Sequence, residues 1–263
     1  MLLHALVRKA TYRVLNRGRY VNREAGVTFN LLRAYNNTME ETAGQKALEQ
    51  MLQKHPIRSL KKSWPLLYQG EVPRTAYVVK SGIVKVYDIN TSGEEKVINF
   101  TDHLGFMPVE WMFGKSPVSL YYADAFTDCE VYAVPRQALV EFLTSNQEIL
   151  NFTLDRYVNL YVGATLHISA LEQTKASEKL LRILQWLSLR FGREIKPNIF
   201  KIDIRLTHQD LAHMIGVTRE TTAVELGKLR KQKVISYQNQ RYILDTDKMH
   251  QILGEDEFKA LTI

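Results

Sequence analysis

"LTHQDLAHMIGVTRETTAVELGKLRKQKVIS" (residues 206–236) divides into two capped helices. Thr207 is a side-chain oxygen placed to close the free N–H groups of a first helix, with Leu211, Ala212 and Ile215 on its inward side. Gly216 follows, where the chain must turn through a positive φ at low cost. Thr218 caps a second helix with Leu226 and Leu229 inward, and Val234-Ile235 close the unit. A helix of about eight residues, a glycine turn and a second helix is helix-turn-helix spacing. "VISYQNQRYIL" (234–244) then alternates apolar residues around Gln238-Asn239-Gln240, the pattern of a β-hairpin wing.

The second helix opens on Arg219 and Glu220 and ends in a basic run through Lys231. A helix that only packs on a core has no use for Arg-Glu in its first turn. One that presents its N-terminus to a DNA groove does, because the Arg fork fits guanine O6 and N7 and a Glu accepts from a cytosine amine. An ordinary surface helix with a local Arg–Glu pair is the alternative, and the surrounding helix, turn and wing argue against it.

Upstream, "FKIDIRL" (200–206) alternates like a short strand, and "SEKLLRILQWLSLRFG" (177–192) is an amphipathic helix. Ser177 is its expected cap, Leu180, Leu181, Leu184, Leu187 and Leu189 its apolar side, and Gly192 its stop. Before it, Leu150, Leu154, Tyr157, Tyr161, Ala164, Ile168 and Leu171 recur at alternating spacings of four and three. This heptad seam predicts a dimer helix. A helix that packs the same stripe on its own domain is the competing reading, but strict alternation is narrower than a usual core-facing stripe.

From Trp64 to Pro135 the pattern is short strands: "LLYQGE" (66–71), "TAYVVKSGIVKVYDI" (75–89), "EKVINF" (95–100) and two more in "ADAFTDCEVYAVP" (123–135). Gly turns at near-regular spacing predict a β-sandwich or barrel. Residues 40–55 read as a helix with Ala47, Leu48, Met51 and Leu52 on one face, ended before Pro56. Residues 1–33 carry seven Arg/Lys and one acid, Glu24. That composition superficially resembles a targeting peptide or a nucleic-acid-binding arm. It equally suits a loose extension, with the start at Met39 or Met51, and residues 1–38 are expected to be dispensable for folding and specific DNA binding.

The 263 residues suffice for two domains, and the net charge of +7 is uneven: +5 over 1–55, −3 over 56–174 and +5 over 175–263. The single cysteine, Cys129, excludes an internal disulfide framework and a multi-cysteine metal site, and suits a reducing cytoplasm. No apolar run reaches a membrane span of about 18 residues.

About residues 60–250 resemble the Crp/Fnr family of bacterial transcription regulators: "YQGE", the barrel strands, the long helix and "LTHQDLAHMIGVTRETT". The resemblance implies an α+β chain: a jelly-roll barrel like a cyclic-nucleotide-binding domain, a long dimerisation helix and a C-terminal winged helix-turn-helix. The expected divisions are an extension and helix (1–55), a sensor barrel (56–148), the dimer helix (149–174), the DNA-binding domain (175–250) and a tail (251–263). By position, Arg219 and Glu220 would contact bases, and Thr207, His208, Gln209, Thr218 and Thr221 would lie near phosphates. Lys228 completes the DNA-facing set. Val224 stands where many members have a second Arg, and Glu225 where an apolar residue is expected. Double-stranded DNA with a near-palindromic site, a second copy of the chain and RNA polymerase are the implied partners, with no membrane.

Nucleotide-binding members carry a Gly-Glu pair and then an Arg-Ser pair. Here Pro108-Val109 and Ser119-Leu120 occupy those places, with Glu110 close by. No Arg lies between Arg74 and Arg136, and Lys115 offers no bidentate fork. Cyclic AMP is therefore not the expected effector, no cofactor is implied, and four-thiolate iron–sulfur sensing lacks its ligands. Haem through His103 or His167, or a flat apolar ligand among Phe106, Trp111, Phe113, Tyr121 and Tyr122, are the remaining alternatives, although aromatics more often fill a barrel. A cupin-type enzyme would need clustered metal ligands, and the seven histidines are scattered. No hydrolase elbow, P-loop or zincin motif occurs, so no catalytic or metal site is expected.

Overall fold

Runs of valine, isoleucine and tyrosine separated by glycine turns form two four-stranded antiparallel sheets in the computed structural model, which describes residues 42–253. The strands are β1 (Ile57–Leu60), β2 (Pro65–Leu67), β3 (Ala76–Ser81), β4 (Val84–Ile89), β5 (Glu95–Thr101), β6 (Phe106–Met107), β7 (Tyr122–Ala125) and β8 (Cys129–Val134). One sheet runs β1-β8-β3-β6 and the other β2-β7-β4-β5, so neighbours in space are often distant in sequence, as in a jelly roll. Leu60, Leu67, Val79, Val84, Ala123, Ala125 and Val131 fill the space between the sheets. Gly82 turns β3 into β4 at φ +85, and a Cβ there would collide with the Asp128 carbonyl.

Helix α1 (Ala43–Leu52) precedes the barrel, and the short α2 (Val109–Met112) interrupts it. Leu48 and Leu52 of α1 are fully buried, with Ala47 and Met51 packed at the edge of the same core. After the barrel come α3 (Arg136–Leu143), the long α4 (Gln147–Leu171) and α5 (Ala176–Phe191). Asn146 caps α4 by accepting the Ile149 N–H at 3.0 Å. The face of α4 that carries Ile149, Phe152, Thr153, His167 and Ala170 is buried against its own chain.

The last part is a four-stranded sheet, β11-β12-β10-β9, from β9 (Gly192–Lys196), β10 (Ile199–Ile202), β11 (Ile235–Gln238) and β12 (Arg241–Asp245). It flanks α6 (His208–Ile215) and α7 (Arg219–Lys231), and α8 (Thr246–Leu253) closes the described chain. Leu180, Leu184 and Leu187 of α5 share one core with Leu211 and Ile215 of α6, Leu226 and Leu229 of α7, and Tyr242 and Leu244 of β12. That core also takes in Val97, Phe100 and Phe126 of the barrel.

Two local expectations are corrected, and strands β1 and β9 are additions to them. The strand expected over 66–71 ends at Leu67, because Tyr68–Glu71 form a turn with Gly70 at φ +81. Strand β1 was not legible, since it is four residues long with three of them exposed. Ser177 is not the cap of α5: Lys175 holds that position without a side-chain cap bond, and Ser177 lies in the first turn. Gly192 ends α5 in extended backbone and starts β9, a strand also missed. The expectations for residues 1–38 lie outside the described residues, as does most of the tail expected over 251–263.

Candidate DNA interface and sensor site

Thr207 builds a full capping box on α6. Its hydroxyl accepts the Asp210 N–H at 3.1 Å while the Asp210 carboxylate accepts the Thr207 N–H at 2.7 Å. Such a cap contributes about 1 kcal/mol. Gly216 then adopts the left-handed conformation (φ +68) and its N–H returns to the Ala212 carbonyl at 2.9 Å. Thr218 starts α7 by accepting the Thr221 N–H at 3.1 Å, and the two hydroxyls lie 3.0 Å apart. The wing turn runs through Asn239 and Gln240, both at positive φ, joining β11 to β12.

These local devices leave Thr218, Arg219, Glu220, Thr221 and Val224 on the exposed side of α7, while Thr222, Leu226 and Leu229 are buried. Val224 is 57% exposed, an apolar side chain displayed on a polar face. His208 sits close to this surface. Partial burial first, and then the Arg219 and Arg230 guanidinium charges, hold its imidazole below the ordinary histidine range. Arg230 thus belongs to the same basic surface, a residue the sequence pointed to only through the basic run at the helix end.

Besides the three threonines engaged in the caps, two more of the candidate contacts have partners within the chain. The Lys228 ammonium lies 2.6 Å from the Glu225 carboxylate, and this pair accounts for a carboxylate at a mostly covered position. Gln209 Nε2 lies 2.5 Å from His213 Nε2. The rest of the set faces solvent at one end of α6 and α7.

Along α4, Leu150, Leu154, Tyr161, Ile168 and Leu171 are exposed on the single chain, with Tyr161 at 73%, Leu154 at 60% and Ile168 at 57%. Ala164 is half-buried. Tyr157 stands apart: its ring packs edge-on against Phe106 at 5.4 Å, and burial with the nearby Glu110 charge pushes its phenol above the ordinary range. The exposed members form a long apolar stripe, interrupted at Tyr157, which is unusual for a surface that stays in water.

In the sensor, the Glu110 carboxylate accepts the Leu120 N–H at 3.0 Å. The Tyr121 phenol is pushed up by burial and by the same carboxylate. Glu110 and Tyr121 thus come together beside Leu120, in the segment expected to take the place of the Arg-Ser pair. Arg136 is the nearest arginine in sequence, but its Nε donates to the Met112 carbonyl at 2.9 Å and its guanidinium lies 5.1 Å from the Trp111 ring centre. The aromatic candidates separate. Phe106 and Trp111 join the core, Tyr122 stacks on Tyr87 at 5.4 Å, and Phe113 is exposed. His103 places its nitrogens 2.9 Å from the Lys80 carbonyl and 3.2 Å from Glu49. Both nitrogens of His167 face backbone carbonyls as well.

Comparison with known proteins agrees with this layout. Residues 57–146 match the cyclic nucleotide-binding domain family, and residues 178–252 match the Crp-like helix-turn-helix domain family. The chain is 27% identical over 186 residues to the global nitrogen regulator of Synechococcus elongatus, covering 70% of this chain and 83% of that one. It is 27% identical over 194 residues to the fumarate and nitrate reduction regulatory protein of Vibrio cholerae, covering 72% and 74%. The solved structure of FixK2 from Bradyrhizobium japonicum superposes with a TM-score of 0.62 at 18% identity, covering 75% of this chain and 96% of that one. Among the described residues no helix is long and apolar enough to cross a membrane.

Proposed function

The chain belongs to the Crp/Fnr family of transcription regulators, and from that premise we propose that it acts in the cytoplasm as a homodimer, reading a near-palindromic DNA site. The observation that carries this is the pairing of an exposed Arg219-Glu220 turn on α7 with an exposed apolar stripe on α4. Two copies joined along the stripe would present two recognition helices to successive major grooves, about 34 Å apart. Arg219 and Glu220 read bases. Thr207, His208, Gln209, Thr218, Thr221 and Lys228 approach phosphates, the last after release from Glu225. Leu150, Leu154, Tyr161, Ala164, Ile168 and Leu171 form the seam, with Tyr157 at its edge, and RNA polymerase is the downstream partner. Genome-wide mapping of bound sites tests the reading: enrichment of one two-fold-symmetric motif supports it, and binding without sequence preference overturns it.

The sensor barrel of this regulator does not take cyclic AMP or cyclic GMP in the usual way. Glu110 and Tyr121 line the segment that stands in place of the Arg-Ser pair, and the Arg136 guanidinium is engaged with the Met112 carbonyl and the Trp111 ring. Titration calorimetry is expected to show no saturable isotherm for either nucleotide at micromolar concentration. A Kd of about 10 µM or tighter, roughly −7 kcal/mol, would refute this and direct attention to Lys115 as a substitute anchor.

A further inference from the structure

We propose that Asp102, in the turn that follows β5 of the barrel, is a positioning residue that sets the separation at which a dimer of this chain reads its two half-sites. Its carboxylate is shared by two arginines from different parts of the molecule. Arg156 of α4, the helix with the apolar stripe, places Nη2 at 3.4 Å from Asp102 Oδ1 and donates to the His103 carbonyl at 2.8 Å. Arg190 of α5, the helix that leads into the DNA-binding unit, places Nη2 at 3.5 Å from Asp102 Oδ2. The barrel, the stripe helix and the DNA-binding unit thus meet at one side chain.

The Arg190 side of this joint is built to hold an angle. Arg190 Nη1 donates to the Asn99 side-chain oxygen at 2.7 Å, and Nη2 donates to the Phe100 carbonyl. Asn99 is 8% exposed and the same oxygen accepts the Phe100 N–H at 2.8 Å, so the acceptor is itself fixed. Beside it the barrel and α5 touch through Phe100, whose ring centre lies 6.1 Å from that of Trp186 and 5.8 Å from that of Phe191. Burial of such rings holds two bodies together, but it is non-directional and defines their rotation loosely. A planar guanidinium with acceptors on Asn99, Phe100 and Asp102 defines it closely. The Arg190 side chain is only 19% exposed, and leaving it without its carboxylate is costly, so DNA meets the orientation that the joint holds.

Arg190 lies in the last turn of α5, and the other end of that helix joins α4 through residues 172–175. Helix α5 is therefore tethered at both ends, and the buried sides of α6 and α7 ride on it. Its 16 residues make a lever of about 24 Å. A rotation of roughly 8° about the first turn moves the far end by about 3.4 Å, one base-pair step. Without the Asp102 charge the two recognition helices of a dimer would wander by a comparable amount, and neighbouring half-site spacings would no longer be told apart.

This spacing role rests on the reading of the chain as a dimer on a two-fold site, and the experiment separates the two. The palindrome that the full-length wild type selects from random DNA is synthesised with its half-sites unchanged, one base pair closer and one base pair further apart. A single half-site completes the set. The wild type is expected to favour one spacing over its neighbours by about tenfold or more. Asp102→Asn keeps the shape of the side chain and removes its charge. In that variant the preference is expected to fall to about threefold or less, with half-site affinity within about twofold of the wild type. A merely structural role would weaken the half-site and every spacing alike, and that result overturns the proposal. A spacing profile equal to that of the wild type overturns it as well. A wild type that selects a palindrome yet is indifferent to spacing overturns the spacing role and leaves the two-fold DNA reading in place. A wild type that selects no motif overturns that reading, and the spacing role with it. Should Asp102→Asn fail to fold or to dimerise, Arg156→Gln tests the other arm of the joint. The Arg156 side chain is 32% exposed, and the same loss of preference is expected. An unchanged profile in that variant refutes the role assigned to Asp102.

Discussion

Replacing Leu154 and Ile168 together with Glu is expected to turn the dimer into monomers that remain folded. Both side chains are mostly exposed on the single chain, so neither contributes much to the core of its own subunit. In a dimer joined along α4 they would be covered, and each new carboxylate would lose its water without gaining a partner. The cost is roughly 3 kcal/mol or more per dimer, enough to shift association out of the micromolar range. Sedimentation velocity measures the outcome, and circular dichroism checks that the helices persist. A variant that still sediments as a dimer assigns the interface to another surface. A variant that unfolds shows instead that the stripe packs on its own chain.

Changing Arg219 to Ala is expected to remove a guanine from the selected DNA motif, with a loss of about 1–3 kcal/mol at that base pair. The side chain lies in the first turn of α7, where the Thr218 cap fixes the direction of the helix. Its removal leaves the buried face of the helix, Thr222, Leu226 and Leu229, untouched. Selection of sites from random DNA distinguishes this from a general weakening, because a lost phosphate contact lowers affinity for every sequence alike. Val224 gives a second arm. Its exposed isopropyl group can offer only an apolar contact, such as to a thymine methyl. Val224→Arg is expected to bring in a guanine preference one turn further along. An Arg219→Ala protein with wild-type specificity, or a strong guanine requirement indifferent to residue 224, assigns the reading to other side chains.

The helix-turn-helix was legible from residues alone because its decisive interactions are local. Thr207 bonds three residues ahead to Asp210, Thr218 bonds three residues ahead to Thr221, and Gly216 supplies a backbone angle that its own chemistry permits. The jelly roll was legible as a class for a similar reason: Val, Ile and Tyr between glycine turns suit a pleated, half-buried surface wherever the partner strand lies. The apolar stripe on α4 could be written down from its spacing, since the period of a helix is a property of the backbone.

Other features depend on residues that meet only in the folded chain. Strand β1 exists because β8, some seventy residues later, pairs with it from Ile57↔Tyr132 to Leu60↔Cys129, and four residues carry no period of their own. Tyr157 has the seam's spacing, yet Phe106 of the barrel supplies a surface that turns it partly inward. Glu110 meets the Leu120 N–H and Tyr121 only in the folded chain. His167 and Arg190 read as one more histidine and arginine until β5, α5 and α6 gather around them. Caps, turns and periodicities act over a few bonds and are encoded where they occur, so the sequence by itself determined the class of fold and the recognition helix. Hydrogen bonds across tens of residues form only after the loops between them have closed, and the tertiary structure alone decided how the sensor grips the DNA-binding unit.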